Sequence, residues 1–183
     1  LAALRLDIDE RFARTPFCEG IFYGEKTKRF GGLLKRSPHA QALVMTGMVP
    51  THGAGEQLRQ LAEKVDISQK DEIAAMQRWL EERGQVVPGG AHLHGMHMPG
   101  MLTEPQLAQL DAARGKEFER LFLTFMIQHH RGALEMVETL FDSPGAGQDP
   151  DLFRFATDVD ADQRDEIYVM QSMLDMLDTR RGS

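Results

Sequence analysis

The segment Met126-Ile127-Gln128-His129-His130-Arg131-Gly132-Ala133-Leu134-Glu135-Met136 carries two imidazoles and two thioethers within eleven residues. On a helix, residues seven apart are separated by almost two whole turns, so His129 and Met136 face nearly the same way. His130 is turned about 100° from His129, yet it stands one turn from Met126 on the flank of the same face. Imidazole with thioether, and no thiolate, is a soft-to-borderline donor set that suits copper, Met favouring Cu(I). The plainer reading is packing, in which Met fills core gaps and one His is a satisfied interior residue.

A second segment shifts the balance. Gln163, Glu166 and Met170 follow one another at steps of three and four on a stripe that otherwise carries Leu, Val and Ala. A carboxylate buried there without a partner costs several kcal/mol, so Glu166 requires a cation or a hydrogen-bonded His. The pattern predicts that Glu166 faces His129 or His130. Either a Glu–His bond orients the helices, or imidazole, thioether and carboxylate together hold a metal.

Both segments have earlier copies. His39-Ala40-Gln41-Ala42-Leu43-Val44-Met45 matches the first at an offset of 91, placing His39 on His130 and Met45 on Met136. The stretch from Gln69 through Glu72 to Met76 matches the second at an offset of 94. By the same reasoning Glu72 should face His39. A duplicated helix pair with shared His, Met, Gln and Glu favours metal, although repetition can also preserve a packing motif.

A third cluster lies between the copies. His92, His94, Met96, His97, Met98 and Met101 place three His and three Met in ten residues, interleaved with Gly and Pro. A His-rich tract alone is a weak signal, but exposed Met gains nothing in solubility, so the tract reads as a metal-capturing loop rather than a solvated linker.

Other chemistries lack their residues. No Glu has His three positions on, as a di-iron carboxylate bundle needs, and neither a zinc-protease motif nor a phosphate-binding Gly loop is present. Cys18 is the only cysteine, so no internal disulfide or thiolate cluster can form. A net charge of −7 argues against nucleic acid and suits cations. No apolar run reaches the roughly 20 residues that span a bilayer. No signal peptide is visible and the chain opens at Leu1, so composition leaves the compartment open.

The elements that must position these groups are helical. Residues 1–36 read as a short helix and loops, broken by Gly20, Gly24, Gly31 and Gly32. Ser37-Pro38 starts a helix that stops before Pro50. Residues 55–83 form a long helix with Leu58, Leu61, Val65, Gln69, Glu72, Met76 and Trp79 inward. After the loop 84–102, Thr103-Glu104-Pro105 caps a helix to about Arg114, with a bend at Gly115. A long helix over 116–141 follows, with Phe118, Phe122, Phe125, His129, Ala133, Met136 and Leu140 inward. Asp149-Pro150 caps the last, which buries Leu152, Ala156, Val159, Gln163, Glu166, Met170 and Leu177. Residues 37–183 thus form one all-α domain, an antiparallel four-helix bundle built from a duplicated helix pair: 37–83 and 103–181 around the His/Met loop.

Met-Ile-x-His-His-x-x-Ala-x-x-Met, followed by Gln-x-x-Glu-x-x-x-Met, resembles the domain-of-unknown-function 305 family over residues 37–180. The resemblance implies a ferritin-like bundle, and some members of that family, of the CopM type, are extracytoplasmic copper-binding proteins. It carries a metal role onto Met126, His129, His130, Met136 and Met170, with His39, Met45 and Met76 as first-half counterparts. The first half departs from the pattern at Pro38, opposite His129, and at Leu34-Lys35-Arg36, where the family has Met-Ile. That implies a weakened first site or a divergent N-terminal segment.

The expectation is a copper-binding protein of the cell envelope, with Cu(I) favoured over other transition metals, acting as metallochaperone, buffer or resistance protein rather than as an enzyme. Its partners are the metal ion and a copper-handling envelope protein or a second copy. A metal-dependent oxidoreductase and a metal-free helical interaction module are the rival readings.

Overall fold

The computed structural model describes residues 38–84, 98–143 and 148–179. Five α-helices account for most of them: α1 Pro38–Met48, α2 Glu56–Glu82, α3 Glu104–Ala112, α4 Gly115–Asp142 and α5 Pro150–Thr179. No strand occurs among the described residues. The expectations for 1–36, and for the loop residues His92, His94, Met96 and His97, lie outside them.

The inward stripes read from the sequence are the ones that pack. On α2, Leu58, Leu61, Val65, Gln69, Glu72, Met76 and Trp79 are all buried. Phe118 and Phe122 on α4 are fully buried, each gaining about 1.5–3 kcal/mol by leaving water. The extensive packing partners are α4 with α5 and α1 with α2, while α1 also rests on α4.

Local chemistry sets the helix ends. Pro38 occupies the first position of α1, where a fixed φ and a missing N–H cost nothing. Pro50 lies within a short 3-10 turn, Val49–Thr51, that leads out of α1. Thr103 and Gln106 form a reciprocal capping box at α3. Asp149 Oδ1 accepts the backbone N–H of Asp151 at 3.0 Å and of Leu152 at 2.9 Å, capping α5. Its other oxygen takes Arg83 at 2.6 Å, tying the end of α2 to the start of α5.

At Gly115 the structure differs from the sequence reading. The helix capped by Thr103 ends at Ala112, two extended residues follow, and Gly115 opens α4 with φ of +57°. That angle suits glycine, so Gly115 starts a new helix rather than bending one.

The buried apolar side chains fall into two clusters. One gathers Ala42, Met45, Val65, Phe118, Phe122, Met126 and Met170 among its members. The other gathers Met76, Trp79, Leu80, Met136, Leu140, Leu152 and Val159. Equivalent residues of the two copies lie in opposite clusters, Met45 against Met136 and Met170 against Met76. That pattern is the one a two-fold exchange of the helix pairs would give.

Candidate metal centre

Buried or half-buried polar residues lie between the two clusters along α2, α4 and α5, beside the buried Ile73, and at the start of α1. α1 contributes His39, α2 Gln69 and Glu72, α4 His129 and His130, and α5 Gln163 and Glu166. All but Glu166 are buried, and the Glu166 side chain is 17% exposed. The core is therefore an apolar sandwich with a layer of imidazole, carboxylate and amide across its middle.

The layer is organised by three Nε2 bonds. His39 Nε2 lies 2.8 Å from Glu72 Oε2, and its counterpart His130 Nε2 lies 2.6 Å from Glu166 Oε2. The same hydrogen bond is thus made once in each half. His129 has no carboxylate partner; its Nε2 donates to the Pro38 carbonyl at 2.7 Å. Pro38 is the residue that replaces His129 in the first copy, so these two equivalent positions meet. Of the two sequence alternatives for Glu166, the structure selects His130. Leaving His129 in place is therefore not a condition for pairing Glu166.

Carboxylate and carbonyl oxygens accept, so each Nε2 carries the hydrogen. In a neutral imidazole that leaves the lone pair on Nδ1. The Nδ1 atoms of His39, His129 and His130 are all buried and have no hydrogen-bond partner. Such atoms ordinarily cost about 1–3 kcal/mol each. His129 is held neutral: burial, then the nearby His130 and His39, push its pKa down to about 3 against the pull of the Pro38 carbonyl. The rings of His129 and His130 stand 6.0 Å apart at 62°.

The thioethers lie on both sides of this layer rather than in one group. Met45, Met126 and Met170 belong to one cluster, Met76 and Met136 to the other, and each is at most 5% exposed. Among the described residues no three or more His, Cys, Asp or Glu form a group able to hold a metal. Imidazole and carboxylate alone do not close a site, and thioether sulfur is the remaining donor type in the two flanking clusters.

Of the His/Met loop, the described end is fixed to α1 and α4. Met98 is buried and Met101 half-buried. The Gln41 side chain grips the Leu102 backbone twice, accepting its N–H at 2.7 Å and donating to its carbonyl at 3.0 Å. Gly100, with φ of +75°, lies directly on Gly132 of α4. A Cβ on Gly132 would stand 2.2 Å from the Pro99 carbonyl oxygen. Sequence reasoning missed Gln41 and Gly132, although both sit inside the quoted motifs; their partners are backbone atoms, which no side-chain pattern reveals.

The family model described as a domain of unknown function, DUF305, matches residues 37–174. The chain belongs to the DUF305 family. Its fold is similar to that of a DUF305 protein from Streptomyces coelicolor, provisionally designated secreted. That pair shares 24% identity over 90% of this chain and 95% of the other, with a TM-score of 0.69. A DUF305 fragment from Deinococcus radiodurans is 28% identical over 79% of this chain and 93% of its own, with a TM-score of 0.67. CopM, solved in Cu(I)-bound and Cu(II)-bound forms, is also similar. Its Cu(I) form is 25% identical over 74% of this chain and 86% of its own, with a TM-score of 0.57. No curated protein matches this chain. These DUF305 neighbours are helical bundles, as is this chain.

Proposed function

We propose that this DUF305 chain is a copper-binding protein of the cell envelope that buffers, carries or detoxifies the metal. The observation that carries the reading is the set of three buried imidazoles whose Nε2 atoms are committed and whose Nδ1 atoms are free. A ligating His typically donates its other ring N–H to a carboxylate or carbonyl, which fixes the tautomer and raises basicity at the metal. Each of the three has such a partner here. CopM, a similar fold, binds Cu(I) and Cu(II).

In this reading Nδ1 of His39, His129 and His130 are ligands. Thioethers complete the coordination from either side, Met45, Met126 and Met170 from one cluster, Met76 and Met136 from the other. Glu72 and Glu166, which the sequence offered as ligands, act instead by orienting His39 and His130. The tract His92, His94, Met96, His97, Met98 and Met101 supplies further imidazole and thioether donors for capture. Bound copper would bring soft Lewis acidity, and the donor set favours Cu(I) over Zn(II) because thioether adds little to zinc. Extracytoplasmic placement is supported by the secreted designation of the Streptomyces protein. Thioethers also remain usable ligands where thiols oxidise.

The test is competitive loading of the purified protein with Cu(I), Cu(II) and Zn(II), followed by elemental analysis. Retention of Cu(I) against a chelator, with loss of that retention in His129→Leu and Met136→Leu, supports the reading. Wild-type affinity in both variants would return the central motif to packing and confine any bound copper to the tract 92–101.

A further inference from the structure

One group beside the imidazole layer has no role so far. Asp162 is exposed on α5, one residue before buried Gln163 and one turn before Glu166. Partial burial first, and then the charges of Glu72, Glu166, Asp158 and Asp165, raise its pKa. Ser68 Oγ of α2 donates to Glu166 Oε1 of α5 at 3.4 Å, so carboxylates of the two helices share one seam: exposed Asp162 one turn before Glu166, half-buried Glu166 itself, and buried Glu72 one turn after Ser68. Among the described residues no Lys or Arg forms an ion pair with any of the three; Glu72 and Glu166 pair only with His39 and His130.

Two buried oxygens on these helices also lack partners. Glu72 has Oε2 on His39, but its Oε1 is buried and unbonded. Gln163 Oε1 is likewise buried and unbonded, in a residue 2% exposed. Acidic side chains alone often make a solvated surface. Here the negative charge continues inward to acceptor atoms that water does not reach, and ends on the imidazoles.

We propose that this seam between α2 and α5 is the route by which a cation reaches the imidazole layer. Asp162 draws the hydrated ion to the surface. The free oxygens of Glu72 and Gln163 replace part of its water as it passes inward. The two glutamates then hand it to the rings they already hold. The proposal rests on the copper-binding reading above and adds Asp162 and Gln163 to it. Surface charge of one sign raises association rates for counter-ions, an effect that salt suppresses.

The experiment is stopped-flow association of Cu(II) with the full chain, read by quenching of Trp79, the only tryptophan. Asp162→Asn is compared with Asp175→Asn, which removes the same charge about 20 Å further along α5. Asp162→Asn should slow association roughly three-fold at low ionic strength, Asp175→Asn should not, and the difference should vanish at high salt. Dissociation rates should stay at the wild-type value. Equal slowing by both variants, or by neither, overturns the route. Faster dissociation with unchanged association also overturns it, by making Asp162 a ligand. Absence of Cu(II) binding by a wild type that retains Cu(I) overturns the route alone, and absence of both removes the copper reading with it, which separates the two failures.

Discussion

Replacing His129 by Leu should separate the two accounts of the polar layer, because stability and copper affinity move in opposite directions. The side chain is buried, bonded only at Nε2 to the Pro38 carbonyl, and carries an unpartnered Nδ1. Removing a buried unsatisfied nitrogen recovers about 1–3 kcal/mol, while the lost bond to the carbonyl costs about 0.5–1.5 kcal/mol. No carboxylate is stranded, since Glu166 is bonded to His130 and Glu72 to His39. The expected net is a gain of roughly 1 kcal/mol for the metal-free protein, or about 2–4 °C in Tm at this chain length. Copper affinity should fall by more than the roughly 10–100-fold that follows loss of an outer-shell partner. Calorimetric melting of the metal-free protein beside Cu(I) competition with a chelator measures both quantities. A variant that is less stable by 1 kcal/mol or more, yet binds Cu(I) as wild type does, would refute the reasoning and make His129 a packing residue.

Three further outcomes follow from the same geometry. Folded His129 holds its pKa near 3 against an ordinary 6.5, so between those values the unfolded chain binds more protons. Metal-free stability should therefore be full above about pH 6.5 and decline toward pH 3 by at most about 1.4 kcal/mol per pH unit for this proton. His129→Leu should lose that component in denaturant titrations across the range. Glu166→Gln and Glu72→Gln keep the side-chain shape but weaken the orienting bonds, and each should lower Cu(I) affinity about 10–100-fold; unchanged chelator competition would deny them that role. Gly132→Ala puts a Cβ 2.2–2.5 Å from the backbone of Pro99 and Gly100 and should cost about 1–3 kcal/mol, read as a shift in the urea midpoint.

Much of this arrangement was legible in the sequence because it repeats at helical spacing. Glu72 and Glu166 stood out as carboxylates on apolar stripes, and each does bond the His of its own helix pair. Met76, Met136 and Met170 also lie buried where the stripes put them. What periodicity does not encode is height along the helix axis. His129 and Met136 share a face, yet ten residues separate Met126 from Met136, and the two thioethers end in different clusters on either side of the imidazoles. Contacts to backbone were equally hidden: the Pro38 carbonyl under His129, the Leu102 amide on Gln41 and the Pro99–Gly100 backbone on Gly132. A proline opposite His129 read as damage to the first copy, whereas in the fold its carbonyl is the group that fixes His129.

The central claim is that three Nδ1 atoms, not the Nε2 atoms, are the metal-binding ends of the imidazoles. Long-range proton–nitrogen correlation spectra of the full chain, recorded metal-free and with diamagnetic Cu(I), read each ring nitrogen separately. The account predicts that Cu(I) shifts the Nδ1 signals of His39, His129 and His130 while their Nε2–H signals persist. Unmoved Nδ1 signals in Cu(I)-saturated protein, or loss of the Nε2 hydrogens, would contradict it.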